Sequence, residues 1–207
     1  MAERTAACTA CHGTQGKAGP DGYYPRLAGK PAGYLYNQLR NFQEGRRHYT
    51  LMAGLLAPLG PDYLREMASY FSELDVPYPA PARSSVPTTV LERGKTLALQ
   101  GDRALGIPAC VACHGQALTG VVPSTPGLLG LPRDYLNAQL GGWQTGQRKA
   151  HAPDCMAGIA RKLGVDDLNA ATQWLSSQPL PAHTKPATQR PPALVGALAL
   201  PPCGSAP

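Results

Sequence analysis

No stretch of this chain is long and apolar enough to cross a bilayer as a helix. Aromatic residues are scarce, at 6% of 207 positions with two Trp and two Phe, so side chains alone supply little for one large core. The formal charge is +6, from 19 Lys and Arg against 13 Asp and Glu, but the basic residues form no single run. That scatter argues against nucleic-acid binding and for steering towards acidic partners. A secretory leader is missing too: Met1-Ala2-Glu3-Arg4 runs almost directly into the first cysteine pair.

Cysteine is present in a pattern. Cys8-Thr9-Ala10-Cys11-His12 and Cys110-Val111-Ala112-Cys113-His114 share the form Cys-x-x-Cys-His, each followed by glycine. Zinc would use four ligands, usually from knuckles close in sequence, whereas about a hundred residues separate these pairs. A thioredoxin-like thiol pair would need a βαβ setting, and no such alternation is seen. Two cysteines at this spacing can bond the two vinyl groups of one haem, and the following His can ligate its iron. We therefore expect two haem c groups, held by Cys8 and Cys11 with His12, and by Cys110 and Cys113 with His114. A small helical unit of about 80 residues would gain from such a cofactor much of the buried apolar surface it otherwise lacks.

The halves repeat. Pro25 to Leu39 aligns with Pro126 to Leu140, sharing Tyr-Leu-x-x-Gln-Leu, and Met52-Ala-Gly aligns with Met156-Ala-Gly. Apolar spacing predicts helices over 31–44 and 61–74 in the first half, and over 89–100, 132–145 and 165–177 in the second. The fold class is thus all-α, with two tandem units each wrapped around one haem. The boundaries are 1–76, a Pro-rich linker at 77–89, a second unit at 90–178, and a Pro/Ala-rich tail at 179–207 that reads as disordered.

Each iron needs a ligand opposite its His. Met52 and Met156 lie roughly forty residues after His12 and His114, in glycine-flanked segments read as loops. A thioether there would raise the potential and fill the sixth position; the alternative is plain core packing. Met67, on an apolar stripe with Leu64 and Phe71, reads as core, and His48 and His151 read as surface. Pro25 and Pro126 follow their histidines by thirteen and twelve positions, so a carbonyl there could accept the other ring N–H, or they could be loop prolines. Arg47 and Arg148 could pair with haem propionates, or be solvated.

On both Cys-x-x-Cys-His motifs, the Tyr-Leu-x-x-Gln-Leu segments and the methionines, the chain resembles the cytochrome c₄ type over about residues 8–178. The resemblance implies two tandem class I cytochrome c domains in the periplasm, passing single electrons between redox protein partners, for example towards a terminal oxidase. It implies a carrier, not an enzyme, with peripheral membrane contact allowed. The alternative is an electron-accepting subunit of a dehydrogenase complex of the flavocytochrome or quinoprotein type. Two departures stand out. The family crosses an N-terminal on a C-terminal helix, and only seven residues precede Cys8, so nothing upstream is expected to cover the stripe Leu64, Met67, Ala68 and Phe71. Either a partner covers it or, the favoured reading, the natural chain starts earlier with a signal peptide and a helix. Cys155 and Cys203 have no family role: a disulfide or iron ligation is open, and an idle thiol is the favoured reading.

Overall fold

Proline and glycine set the ends of the long helices in the computed structural model, which describes residues 1, 3–19, 23–192 and 198–205. In the first half, α1 (Ala6–His12) follows a single 3₁₀ turn, and α2 (Ala32–Gln43), α3 (Thr50–Leu56) and α4 (Pro61–Glu73) come after it. In the second half the order is α5 (Thr88–Leu99), α6 (Cys110–His114), α7 (Arg133–Thr145), α8 (Cys155–Ala160) and α9 (Val165–Ser177). Pro31, Pro87 and Pro132 lead into α2, α5 and α7, and Pro61 opens α4. Gly146, at φ +77°, ends α7 in the left-handed conformation that a side chain would resist. The expected helices are therefore observed to within a residue or two at each end, and the fold is all-α apart from one small hairpin.

That hairpin, β1 (Gly120–Val121) paired antiparallel with β2 (Thr125–Pro126), was not anticipated, nor were the helices over the two methionines. Strands of two residues and helices of six or seven carry too little periodicity to read.

In the second half α5 crosses α9 closely. A Cβ on Gly94 would lie 2.1 Å from the Ala170 carbonyl oxygen, so glycine is what lets the backbones approach. Arg93 adds a bidentate pair to Asp167, at 2.6 and 2.7 Å. The first half has no such helix among its described residues, yet its stripe is covered: Leu64, Met67, Ala68 and Phe71 are 4% exposed or less. The expectation of a bare stripe is corrected by geometry. Leu64, Ala68 and Phe71 pack on Tyr34, Leu35, Phe42 and Leu56 of α2 and α3. Where α5 meets Ala170 in the second half, the first half has Glu66, paired with Arg4 at 2.6 Å.

The tail is a second correction. Residues 193–197 and 206–207 lie outside the described residues, but the remainder packs on the second half. Leu180 joins the core, Ala187 pairs with Gly120 and Val122, and Cys203 is disulfide-bonded to Cys155. Composition missed this because the segment is held by contacts from elsewhere, not by a pattern of its own. Closing a loop over a separation of 48 residues removes about 4 kcal/mol of unfolded-chain entropy. The linker is similarly engaged, with Arg26 donating to the carbonyls of Val76 and Pro77 and stacking on Tyr78.

Gly94→Ala is expected to destabilise the chain by about 1–3 kcal/mol, because overpacking against fixed backbone outweighs the gain in helix propensity. Guanidinium unfolding followed by circular dichroism measures this; an unchanged or raised midpoint would contradict the crossing.

Candidate haem centres

Cys8 and Cys11 fall three residues apart on α1, as Cys110 and Cys113 do on α6, so each pair shares one helical face with His12 or His114 next in line. The glycine after each motif has a positive φ, +75° at Gly13 and +87° at Gly115. A Cβ on Gly13 would meet the Ala18 carbonyl oxygen at 2.5 Å. This turn brings the chain back over the histidine. In both halves the imidazole Nδ1 then lies 2.7 Å from a proline carbonyl oxygen, Pro25 for His12 and Pro126 for His114.

A carbonyl can only accept, so Nδ1 carries the hydrogen and Nε2 keeps its lone pair. Burial holds both histidines below their ordinary pKa, against the opposing pull of the proline carbonyl. Each ring is thus neutral, oriented and a donor through Nε2. Burial raises the thiols of Cys8 and Cys113 and pushes Cys110 up to about 11. A redox thiol pair needs the opposite shift. Among the described residues no group of three or more His, Cys, Asp or Glu could hold a bare metal ion.

The two methionines sit on short helices, α3 and α8, not in loops as the glycines suggested. Both helices are held by one repeated device. Gln43 Nε2 donates to the carbonyls of Leu56 and Leu59, at 2.7 and 2.9 Å. Gln144 Nε2 does the same to Ala160 and Leu163, at 2.9 and 2.8 Å. The carbonyls of Leu56 and Ala160 lie at the ends of α3 and α8 and also accept from the N–H groups of Leu59 and Leu163, so the glutamine ties the helix end to the turn after it.

A cavity of about 970 Å³ opens in the first half, lined by Cys8, Cys11, His12, Pro25 and Met52, with Leu64 and Phe71 among its apolar walls. It reaches the joint between the halves, where Arg47 and Arg148 also line it. The joint is nearly symmetric. Gln139 Oε1 accepts from Arg47 and Arg148, at 2.6 and 2.5 Å, and Gln38 Oε1 accepts from the same two, at 3.3 and 3.1 Å. Arg47 and Arg148 also form an antiparallel backbone bridge. Lys30 is buried nearby, 5.8 Å from the Tyr34 ring.

No carboxylate pairs with these three cations among the described residues. Burial drives Lys30 and Arg47 below their ordinary pKa values, and the neighbouring arginines add to it. Tyr34, though buried, is drawn down by Arg148, Lys30 and Arg47. The site is short of negative charge. Among the described residues the buried Trp143 Nε1–H has no hydrogen-bond partner, as is also true of Ser124 Oγ, and Met156 packs in the Trp143 cluster. A haem with two propionates fits all of this: it has the apolar face, the anionic groups and the acceptor that the chain lacks.

Every expected first-half residue lines that one cavity: Cys8, Cys11, His12, Pro25, Met52 and Arg47. In the second half Cys110, Cys113, His114 and Pro126 come together, and Met156 lies in the Trp143 cluster. His48 is exposed, while His151 Nε2 lies 3.0 Å from Arg46. Sequence reasoning missed Lys30, Gln38, Gln139, Gln43, Gln144 and Trp143. The glutamines left a signal, since polar residues recurring at matching positions of an amphipathic helix have a shared task.

The chain is similar to known proteins. A family model described as cytochrome c matches residues 4–69. The chain is 38% identical over 186 residues to the thiosulfate dehydrogenase electron acceptor of Thiomonas intermedia (strain K12), covering 89% of this chain and 84% of that protein. It is 31% identical over 174 residues to cytochrome c4 of Pseudomonas aeruginosa, covering 83% and 84%. The solved thiosulfate dehydrogenase (TsdBA) from Marichromatium purpuratum superposes with a TM-score of 0.74 at 32% identity, over 84% of this chain and 36% of that one. The chain thus spans about a third of that protein's length.

If both methionines ligate, the ferric protein shows a weak sulfur-to-iron band in the far red. Met52→Ala and Met156→Ala are each expected to remove about half of it. A band that survives either substitution intact would contradict that ligand.

Proposed function

The chain belongs to the cytochrome c family, within the dihaem cytochrome c₄ type, and on that premise we propose that it accepts electrons from a thiosulfate dehydrogenase and passes them singly to a further redox protein. The transfer of electrons is common to both kinds of relative. The choice of donor rests on the name of the more similar one. This favours the dehydrogenase-linked role over a carrier shuttling freely towards an oxidase, with thiosulfate oxidation in place of a flavoprotein or quinoprotein. The freely diffusing carrier stays as the second reading, supported by the cytochrome c4 relative.

The observation that carries the proposal is the doubled hydrogen bond from His12 and His114 to Pro25 and Pro126, which aims two neutral Nε2 donors. Haem c supplies a one-electron couple at its iron. Cys8, Cys11, Cys110 and Cys113 would attach it covalently, His12 and His114 would ligate its iron, and Met52 and Met156 would complete the coordination, where a soft thioether favours the ferrous state. With both faces taken, no position is left for a substrate, so the chain is proposed as a carrier and not itself an enzyme. Pro25 and Pro126 fix the imidazoles, while Arg47 and Arg148 hold the propionates.

The proposed domains are 1–76 and 90–178, joined by the linker 77–89. No helix among the described residues is long and apolar enough to cross a membrane. The Cys155–Cys203 disulfide supports a periplasmic setting, since such bonds persist in oxidising compartments.

Stopped-flow mixing of the ferric chain with thiosulfate and catalytic thiosulfate dehydrogenase is expected to reduce both haems. The rate should fall as salt rises, because a net basic surface steers the encounter. A chain that ascorbate reduces but this mixture does not would overturn the donor. Arg148→Gln removes a cation that favours the reduced iron, so one midpoint should fall by on the order of tens of millivolts. A redox titration with unchanged midpoints would refute the propionate pairing.

A further inference from the structure

The two methionine helices are not held alike. Leu51, next to Met52, is 66% exposed, and α3 has no side-chain cap. Its counterpart in the second half is Cys155, next to Met156 and bonded to Cys203 of the tail. Around that bond the tail lies flat on the loop before α8. The Gly204 N–H donates to the Pro153 carbonyl at 2.9 Å, and the His151 N–H donates to Ser205 Oγ at 3.2 Å. Only glycine fits at 204, since a Cβ there would meet the Ala152 carbonyl oxygen at 2.2 Å. Asn37 of α2 reaches across the joint to donate to the Ser205 carbonyl at 3.1 Å. From within the loop, Asp154 accepts from the N–H groups of Ala157 and Ala150, at 3.0 and 2.7 Å.

The geometry points to a clasp: Cys203, Gly204 and Ser205 are positioning residues that hold the Met156 helix against its iron, and among the described residues the Met52 helix has no equivalent disulfide or strap. This rests on Met156 being a ligand. Its consequence is an inequality between duplicated sites. The methionine of the first haem exchanges readily for an added ligand, and that of the second does so slowly. The first site is then the one that tolerates movement when a partner docks, and the second keeps its coordination.

The test mixes the intact ferric protein with excess imidazole and follows loss of the far-red band. Two phases of similar amplitude are expected, the fast one absent in Met52→Ala and the slow one absent in Met156→Ala. The double substitution Cys155→Ser with Cys203→Ser should accelerate the slow phase by about tenfold or more, the scale on which outer partners act on metal ligands, and leave the fast phase unchanged. Ser205→Ala combined with Asn37→Ala keeps the disulfide and should accelerate it severalfold; it carries the test if the serine variant fails to hold haem. A slow phase that survives Met156→Ala overturns the ligand reading and the clasp with it. A slow phase abolished by Met156→Ala yet unmoved in the other variants overturns the clasp alone.

Discussion

Buried positive charge at the joint between the halves is the constraint on which the rest depends. Lys30 and Arg148 are buried with the half-buried Arg47 beside them, and no carboxylate among the described residues pairs with any of the three. A buried cation left unpaired costs several kcal/mol. The glutamine carbonyls of Gln38 and Gln139 satisfy some of the N–H groups but bring no charge. Propionates would bring it. The cofactors, in this account, complete the joint as well as the cores, and their carboxylates couple the two halves electrostatically.

Duplication explains what is repeated, and divergence what is not. The glycine turn, the histidine–proline hydrogen bond and the glutamine that holds the methionine helix occur twice, because each iron sets the same demands. The surroundings are free to differ. Phe42 in the first half is Trp143 in the second, Lys30 is Leu131, and Glu66 is Ala170. Only the second half has the α5–α9 crossing and the tail, while the first opens a cavity towards the joint. Equal motifs with unequal support are a route from one ancestral site to two that behave differently.

Much of the site was legible in the sequence because haem attachment is written locally. Cysteines three apart and an adjacent histidine need only one turn of helix, and the repeat located Pro25, Pro126, Met52 and Met156 by alignment with themselves. The long helices followed from apolar spacing. What was hidden depends on contacts far apart in the chain. The Cys155–Cys203 bond joins segments that no pattern relates. The cover on Leu64 and Phe71 depends on which way α4 faces. Arg47 and Arg148 were singled out, but their meeting with Gln38 and Gln139 exists only once the halves are docked.

The central claim is that the haem carboxylates neutralise the cations at the joint. A crystal structure of the haem-loaded protein tests it most directly. The account predicts propionate oxygens within hydrogen-bonding distance of Arg47 and Arg148, with an acceptor on the Trp143 N–H. Propionates directed into solvent, with both guanidiniums still held by Gln38 and Gln139, would contradict it.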